Sequence, residues 1–324
     1  MKGIPFPWPS RIFFLFLFFL RFSYLLCGES PENAGARFAL IPEEPRLGDP
    51  VTVIYAGPDR PGMRAVLLDI WGRRLTGAFF FNLPGDAGEG SCKTALLAVP
   101  STAGPGPAMI RVEEGNGKNI AGIPLMLAGR DFLSEEIYLD EENTDIRTRP
   151  DPQKNLESAQ LSAILFHTGG DIFTAGPFSP PVSSTRRTSF FGDRRIFRYA
   201  DGSQDTSIHA GIDYGVPRGT PVRACAPGRV VLARFRIVTG YSVVIEHLPG
   251  TYSLYYHLDK ILVEEGALVA EGTQLGESGA TGLATGPHLH WEIRVAGENT
   301  DPDAFTARPV LDKEAILGKI NRVR

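Results

Sequence analysis

The sequence predicts an all-β, mainly antiparallel protein built from two structural parts. Among its 324 residues are 36 glycines and 26 prolines, which favour short strands and tight turns over long helices. Hydrophobic residues make up 43% and charged residues 22% of the chain, as in globular domains. A chain of this length can form about two domains with their own cores. The formal net charge of −4 gives no reason to expect nucleic acid or an anionic membrane surface as the main partner.

Residues 1–27 are predicted to be an export signal or an N-terminal anchor. Lys2 and Arg11 precede an apolar run from Ile12 to Leu20, and this order of charge and apolar residues is typical of a secretory signal. The run is too short to predict a spanning helix. Cleavage, retention as a membrane anchor and lipid attachment at Cys27 all stay open. We expect an exported protein of the periplasm or cell envelope.

Residues 30–130 are predicted to form an accessory β-sandwich of immunoglobulin-like size. Alternating or apolar runs such as DPVTVIYAG and KTALLAVP recur roughly every ten residues and are separated by Gly, Pro, Asp and Asn clusters. No group of His, Asp, Glu or Cys with catalytic spacing occurs there. A docking or spacer role is expected, with no protein partner identified.

Residues 131–185 are predicted to be a linker with one short helix. The stretch FLSEEIYLDEENTDIRTRPDPQ is acidic and then contains proline, which indicates a connector. NLESAQLSAILFHTG has apolar residues at helical spacing and stops at Gly169-Gly170. His167 is expected to cap the end of this helix. A second antiparallel β domain follows at 186–310, and the tail at 311–324 is predicted to be a short exposed helix.

The three cysteines at positions 27, 92 and 225 do not predict a disulfide framework. Cys92 and Cys225 fall in different predicted domains and are expected to be buried free thiols.

The histidines of the second domain lie in strand-like sequence. In SIHAGIDYG, period-two alternation places His209, Gly211 and Asp213 on one face, with glycine leaving room for an ion. In GPHLHWEIRV the same rule groups His288 and His290 with Glu292 and Arg294, opposite an apolar face. Glu292 and Arg294 could bind substrate or belong to a solvated strand end.

Two further histidines, His257 and His247, lie in or at the end of predicted strands. In LYYHL, Tyr255 and His257 are predicted to share a face, with Tyr255 either in the core or near the metal groove. His247 ends a strand and is expected to be a surface or packing residue.

This constellation predicts a hydrolytic zinc site. Such a site needs three protein ligands and an open position for water, and further histidines can transfer protons near pH 7. One carboxylate and four histidines are available: Asp213, His209, His257, His288 and His290. Spacing alone leaves open which three hold the metal.

Three segments resemble the lysostaphin/LytM-type zinc endopeptidases: HAGIDYGVPRGTPVRACAPGRV, YYHL and TGLATGPHLHWEIR. The resemblance covers residues 187 to 305 approximately, and its motifs occur in order. It implies a compact β-sheet fold with one Zn²⁺ per chain, bound by His209, Asp213 and His290. It also implies that His257 and His288 are the catalytic pair and that the substrate is a peptide of peptidoglycan.

The sequence therefore predicts an exported zinc endopeptidase that hydrolyses peptide cross-links of bacterial peptidoglycan. Two alternatives stay open. One is a non-enzymatic envelope regulator that recruits or activates a cell-wall hydrolase. The other is a zinc peptidase that cleaves a protein or free peptide.

Overall fold

The computed structural model describes residues 35–83, 92–167 and 169–323. The predicted export signal or anchor, with Cys27, lies outside the described residues. Antiparallel sheets dominate the described chain and helices are few, which confirms the predicted fold class. Within these ranges no helix has both the length and the apolar character needed to cross a membrane.

Two four-stranded antiparallel sheets form a sandwich in the N-terminal part. Its strands are β1 (Arg37–Ile41), β2 (Pro50–Ala56), β3 (Arg64–Leu68), β4 (Arg74–Phe79), β5 (Phe81–Asn82), β6 (Cys92–Ala98), β7 (Gly106–Glu113) and β8 (Asn119–Leu127). The strand orders are β1-β2-β6-β5 and β4-β3-β7-β8. Val53, Leu67 and Ile110 are buried between the two sheets. Each sheet thus buries one apolar face against the other, as two-layer packing requires.

The central strand β2 is buried along its whole length because both of its faces are covered. Val53 and Tyr55 point into the sandwich core, whereas Ile54 belongs to a second core that also contains Phe305 and Ile316. The sandwich therefore packs directly on the C-terminal part through its β1-β2-β6-β5 sheet.

The segment predicted to be a connector has regular structure of its own. It contains β9 (Ser134–Tyr138), α1 (Glu141–Thr148) and α2 (Pro152–Leu165). Asp140 and Asp151 cap the two helices by accepting from Asn143 N–H and Gln153 N–H. The strand was missed because SEEIY is short and acidic and is never fully buried.

Strand β9 joins a small sheet that leads into the second domain. Its other members are β11 (Arg194–Arg198) and β12 (Gln204–Ile208). The preceding strand β10 (Arg187–Ser189) belongs to the large sheet. The small sheet has the order β12-β11-β9, and β9 runs parallel to β11.

A ten-stranded sheet forms the body of the C-terminal part. Besides β10, its strands are β13 (Ile212–Tyr214), β14 (Pro221–Arg223), β15 (Gly228–Arg236), β16 (Gly240–Leu248), β17 (Thr251–Ile261), β18 (Leu268–Val269), β19 (Gln274–Ser278), β20 (Leu289–Val295) and β21 (Glu298–Thr300). The main path is β10-β13-β20-β17-β16-β15-β18. Its three inner strands β20, β17 and β16 are almost entirely buried, which makes them a rigid platform for side chains.

Two helices end the described chain, α3 (Pro302–Thr306) and α4 (Lys313–Arg322). The tail is helical as predicted, but the prediction that it is exposed is wrong. Ile316 and Ile320, four residues apart, lie on one side of α4 and are 1% and 2% exposed. They pack into the second core, so α4 helps to join the sandwich to the large sheet.

Candidate metal centre

Strand pairing brings Asp213 and His290 together. Asp213 of β13 is in register with His290 of β20. Along β20, Leu289 and Trp291 are fully buried in the core, so His290 and Glu292 point to the opposite face, as the alternation predicts. The Asp213 Oδ1 atom lies 2.7 Å from His290 Nδ1.

His209 reaches the same point from the turn between β12 and β13. Its Nε2 atom lies 3.1 Å from Asp213 Oδ1 and 2.9 Å from His290 Nδ1. Gly211 allows this turn to approach β20, because a Cβ there would meet the Trp291 carbonyl oxygen at 2.1 Å. The glycine is thus explained by the neighbouring backbone rather than by space for an ion.

Hydrogen bonds fix the tautomers of both ligand candidates. His209 Nδ1 lies 2.8 Å from the Phe190 carbonyl oxygen, which can only accept, so this nitrogen carries the proton. His290 Nε2 donates in the same way to Glu292 Oε1 at 2.9 Å. In the neutral rings, His209 Nε2 and His290 Nδ1 therefore direct lone pairs at Asp213 Oδ1. Such a cluster of acceptors needs a cation at its centre.

The buried charges of this cluster influence one another strongly. Burial opposes ionisation, but the histidines around Asp213 hold the pKa of its carboxyl well below the usual range. Burial also opposes the charged form of His290, yet Asp213 and Glu292 raise its pKa to about 9. Desolvation lowers the pKa of His209. The carboxylates of Asp213 and Glu292 thus favour positive charge at this buried point.

His257 and His288 lie beside this cluster. Their ring centroids are 4.7 Å apart, and His257 is 6.1 Å from the His290 ring. Each Nδ1 donates to a carbonyl oxygen at 2.8 Å, that of Thr281 for His257 and that of Gly286 for His288. Both Nε2 atoms are left as acceptors, and His288 Nε2 is 3.8 Å from Asp213 Oδ1.

Burial keeps both of these imidazoles neutral. Desolvation, with His288 and His290 nearby, lowers the pKa of His257 to about 3. The pKa of His288 is also lowered, chiefly by burial. The two rings are therefore proton acceptors rather than standing positive charges.

The prediction that Tyr255 and His257 share a face of β17 is wrong. His257 has a φ of 60°, and this left-handed conformation interrupts the alternation of β17. Tyr255 is fully buried in the core, where its hydroxyl accepts from Cys225 N–H. Tyr256 instead stacks on His290 with ring planes 6° apart. Alternation cannot predict such a break.

A second layer of charged residues surrounds the ligands. Glu292 accepts from His290 and is itself bound by Arg294 Nε at 2.8 Å, so it supports the centre rather than a solvated strand end. Arg195 of β11 donates to Asp213 Oδ2 at 2.7 Å. Sequence reasoning missed Arg195 because nothing in the run RRIFR distinguishes it from its neighbours.

The four imidazoles and Asp213 line an open cleft of about 560 Å³. One wall comes from the loop 283–287 and the other from the small sheet, including Glu135 and Ile137 of β9. A peptide-sized substrate can thus reach the candidate metal centre from solvent.

The two remaining histidines lie elsewhere. His247 is fully buried, and its Nε2 is 2.7 Å from the Ser253 hydroxyl. This confirms the packing interpretation. His167 is exposed. Cys92 and Cys225 are buried and are not joined in a disulfide, as predicted.

Comparison with known proteins shows which family the site residues resemble. The family model described as Peptidase family M23 matches residues 207–302, which include all five candidate site residues. The Peptidoglycan DD-endopeptidase ShyB of Vibrio cholerae is 35% identical over 53% of this chain and 41% of its own length. The DD-carboxypeptidase/endopeptidase Mpg of Neisseria meningitidis is 39% identical over 38% of this chain and 27% of its own length. The chain spans less than half the length of these two relatives.

A solved structure extends the likeness beyond the matched residues. It is a candidate peptidase M23 of Pseudomonas aeruginosa with a TM-score of 0.54 and 25% sequence identity. The similarity covers 81% of this chain and 94% of that one. Residues 207–302, with their buried His, Asp and His cluster, are therefore similar to Peptidase family M23 domains.

Proposed function

We propose that this chain is an exported zinc-dependent endopeptidase that hydrolyses peptide cross-links of bacterial peptidoglycan. The observation that carries the proposal is the set of tautomers at the centre. Three acceptor atoms, from His209, Asp213 and His290, converge within 4.8 Å of one another, and their outer hydrogen bonds leave their lone pairs facing inwards.

The donor set suits zinc. Two neutral imidazole nitrogens and one carboxylate oxygen are ligands that zinc accepts, and three protein ligands leave a coordination position open. When bound, zinc lowers the pKa of a water molecule and polarises a carbonyl group. Glu292 and the Phe190 carbonyl orient the two imidazoles from behind, as outer hydrogen-bond partners do in metal sites.

His257 and His288 are suited to the proton transfers of peptide hydrolysis. Both are neutral, and each keeps Nε2 free to accept because Nδ1 is committed to a backbone carbonyl. One ring can accept the proton of the attacking water and deliver it to the leaving amine. The carbonyl acceptors at Thr281 and Gly286 hold the two rings in this orientation.

The substrate class rests on the relatives. The Vibrio relative is named a Peptidoglycan DD-endopeptidase and the Neisseria relative a DD-carboxypeptidase/endopeptidase. The matching family model includes all five candidate site residues. The cleft is open to solvent along the small sheet, which suits a peptide attached to a larger polymer. Export to the cell envelope follows from this substrate and from the predicted signal at residues 1–27.

Product analysis tests the proposal. Purified protein is incubated with cross-linked peptidoglycan fragments, and mass spectrometry follows the conversion of cross-linked dimers to monomers. We expect dimers to disappear, a chelator to stop the reaction and zinc to restore it. The His257→Ala variant, which keeps the three ligands, should bind zinc but leave the dimers intact. A wild-type protein that binds zinc and never cleaves the dimers would contradict the proposal.

A further inference from the structure

We propose that Arg195 and Glu135 are positioning residues of the metal centre, so that β9, outside the matched M23 residues, is part of that centre. The inference rests on the proposed zinc site. It assigns a role to a segment that the sequence predicts to be only a connector.

The two oxygens of Asp213 have different partners. Oδ1 faces the His209 and His290 nitrogens at 3.1 and 2.7 Å. Oδ2 accepts from Arg195 Nη2 at 2.7 Å. A guanidinium bound to one oxygen leaves the other as the single ligand atom and prevents the carboxylate from rotating.

Arg195 is itself fixed by β9. Its Nε donates to Glu135 Oε1 at 2.6 Å, so the two ends of the guanidinium are committed to two carboxylates. The parallel register of β11 and β9 places Arg195 directly beside Glu135. The planar guanidinium of arginine presents fixed donors to both carboxylates at once. A lysine ammonium lacks this fork geometry.

Ser189 connects this pair back to the strand that carries Asp213. The Ser189 hydroxyl lies 3.0 Å from both Glu135 oxygens. Ser189 of β10 is also in register with Asp213 of β13. The contacts therefore form a closed ring from Asp213 through Arg195, Glu135 and Ser189 back to the β13 backbone.

The positive charge of Arg195 explains why Glu135 is required beside it. A lone guanidinium beside the ligands would repel a metal dication. The side chain of Arg195 is 15% exposed, so water screens its charge incompletely. Glu135 neutralises that charge while the hydrogen bond to Asp213 is kept.

The same two strands supply a matched control. Arg198 of β11 and Glu136 of β9 form a 2.7 Å ion pair on side chains that are 38% and 41% exposed. Glu136 follows Glu135 in the strand and therefore points to the other face, away from the cleft. Removing this pair eliminates one positive and one negative charge and one contact between β9 and β11, as does removing Arg195 and Glu135.

The test compares the zinc affinities of two charge-neutral double variants of the full chain. Zinc dissociation constants are measured by competition with a chromogenic chelator for the wild type, Glu135→Gln/Arg195→Gln and Glu136→Gln/Arg198→Gln. We expect the first double variant to bind zinc about 10- to 100-fold more weakly, as for other outer-shell residues. The second should stay within about twofold of the wild type, because Glu136 and Arg198 lie on the strand face that points away from the cleft.

The single variant Glu135→Gln is a milder substitution at a partly exposed site. It leaves the positive charge of Arg195 without the neutralising carboxylate. It should also weaken zinc binding, and the thermal unfolding of each metal-free protein reports folding. Equal zinc affinity in both double variants and in Glu135→Gln would overturn the inference while leaving the proposed function standing. A wild-type protein that binds no zinc would overturn both.

Discussion

The large sheet buries histidine in two ways, and the difference separates a structural cluster from a candidate metal centre. His247 is surrounded by groups that complement it: Nδ1 lies 2.7 Å from the Pro227 carbonyl oxygen and Nε2 lies 2.7 Å from the Ser253 hydroxyl. Nδ1 donates to that carbonyl, and Nε2 can accept from the Cys225 thiol, whose Sγ lies 3.7 Å away. A neutral ring satisfies this site completely.

His209 and His290 are arranged in the opposite sense. Their donating nitrogens point outwards to Phe190 and Glu292, so their accepting nitrogens meet at a carboxylate. Burial of histidine is therefore not what indicates a metal. The indicator is an excess of acceptors over protons at a buried point.

The largest effect should come from the two histidines that accept protons without being ligands. His257→Ala and His288→Ala should each lower the rate of cross-link cleavage by about 10²- to 10⁴-fold, because each removes a proton acceptor. Zinc content should stay at the wild-type level, since His209, Asp213 and His290 remain. Rate measurements and metal analysis on the same samples check this. A variant that loses zinc in parallel with activity would place that histidine among the ligands instead.

The structural histidine should affect stability rather than metal binding. Burial lowers the pKa of His247 to about 4, whereas an unfolded-state histidine titrates near 6.5. As the pH falls, the unfolded chain binds this proton first. The contribution is therefore complete above about pH 6.5 and is lost between there and about pH 4, and it amounts to about 3 kcal/mol.

Urea unfolding of metal-free protein at pH 7 and pH 4 measures this contribution. In His247→Gln the loss of unfolding free energy between these two pH values should be smaller than in the wild type by about that amount. Identical losses in both proteins would show that the neutral ring of His247 is not what makes the buried cluster sensitive to acid.

A smaller effect is expected behind His290. Glu292→Gln keeps the shape of the side chain but removes the negative charge of the group that accepts the hydrogen bond from His290 Nε2. Zinc affinity should fall about 10- to 100-fold, as for other outer-shell carboxylates. Glu277→Gln on β19 is the control, and chelator competition measures both. Equal affinities in the two variants would mean that Glu292 does not influence the ligand.

The sequence predicted the faces of regular strands well and irregular backbone poorly. On β20 the alternation placed His290 and Glu292 opposite Trp291, because an unbroken strand in a buried sheet keeps period two. On β17 the same rule misplaced Tyr255 and His257, because the left-handed backbone at His257 depends on contacts that are distant in sequence.

Long-range pairing explains the other differences. Glu135 and Arg195 are 60 residues apart and meet only through the parallel register of β9 and β11, which no local pattern in the acidic segment encodes. The buried face of α4 likewise depends on the sandwich that packs against it. The division of the five site residues into ligands and catalytic pair came from family resemblance and stays a prediction.

Metal content tests the central claim most directly. Wild type, His209→Ala and the exposed-histidine control His167→Ala are purified, dialysed against a dilute zinc buffer and analysed by mass spectrometry for zinc per chain. We predict one zinc per chain in the wild type and in His167→Ala, and none in His209→Ala. Zinc retained at one per chain in His209→Ala, or absent from the wild type, would contradict a metal centre at the convergence of His209, Asp213 and His290.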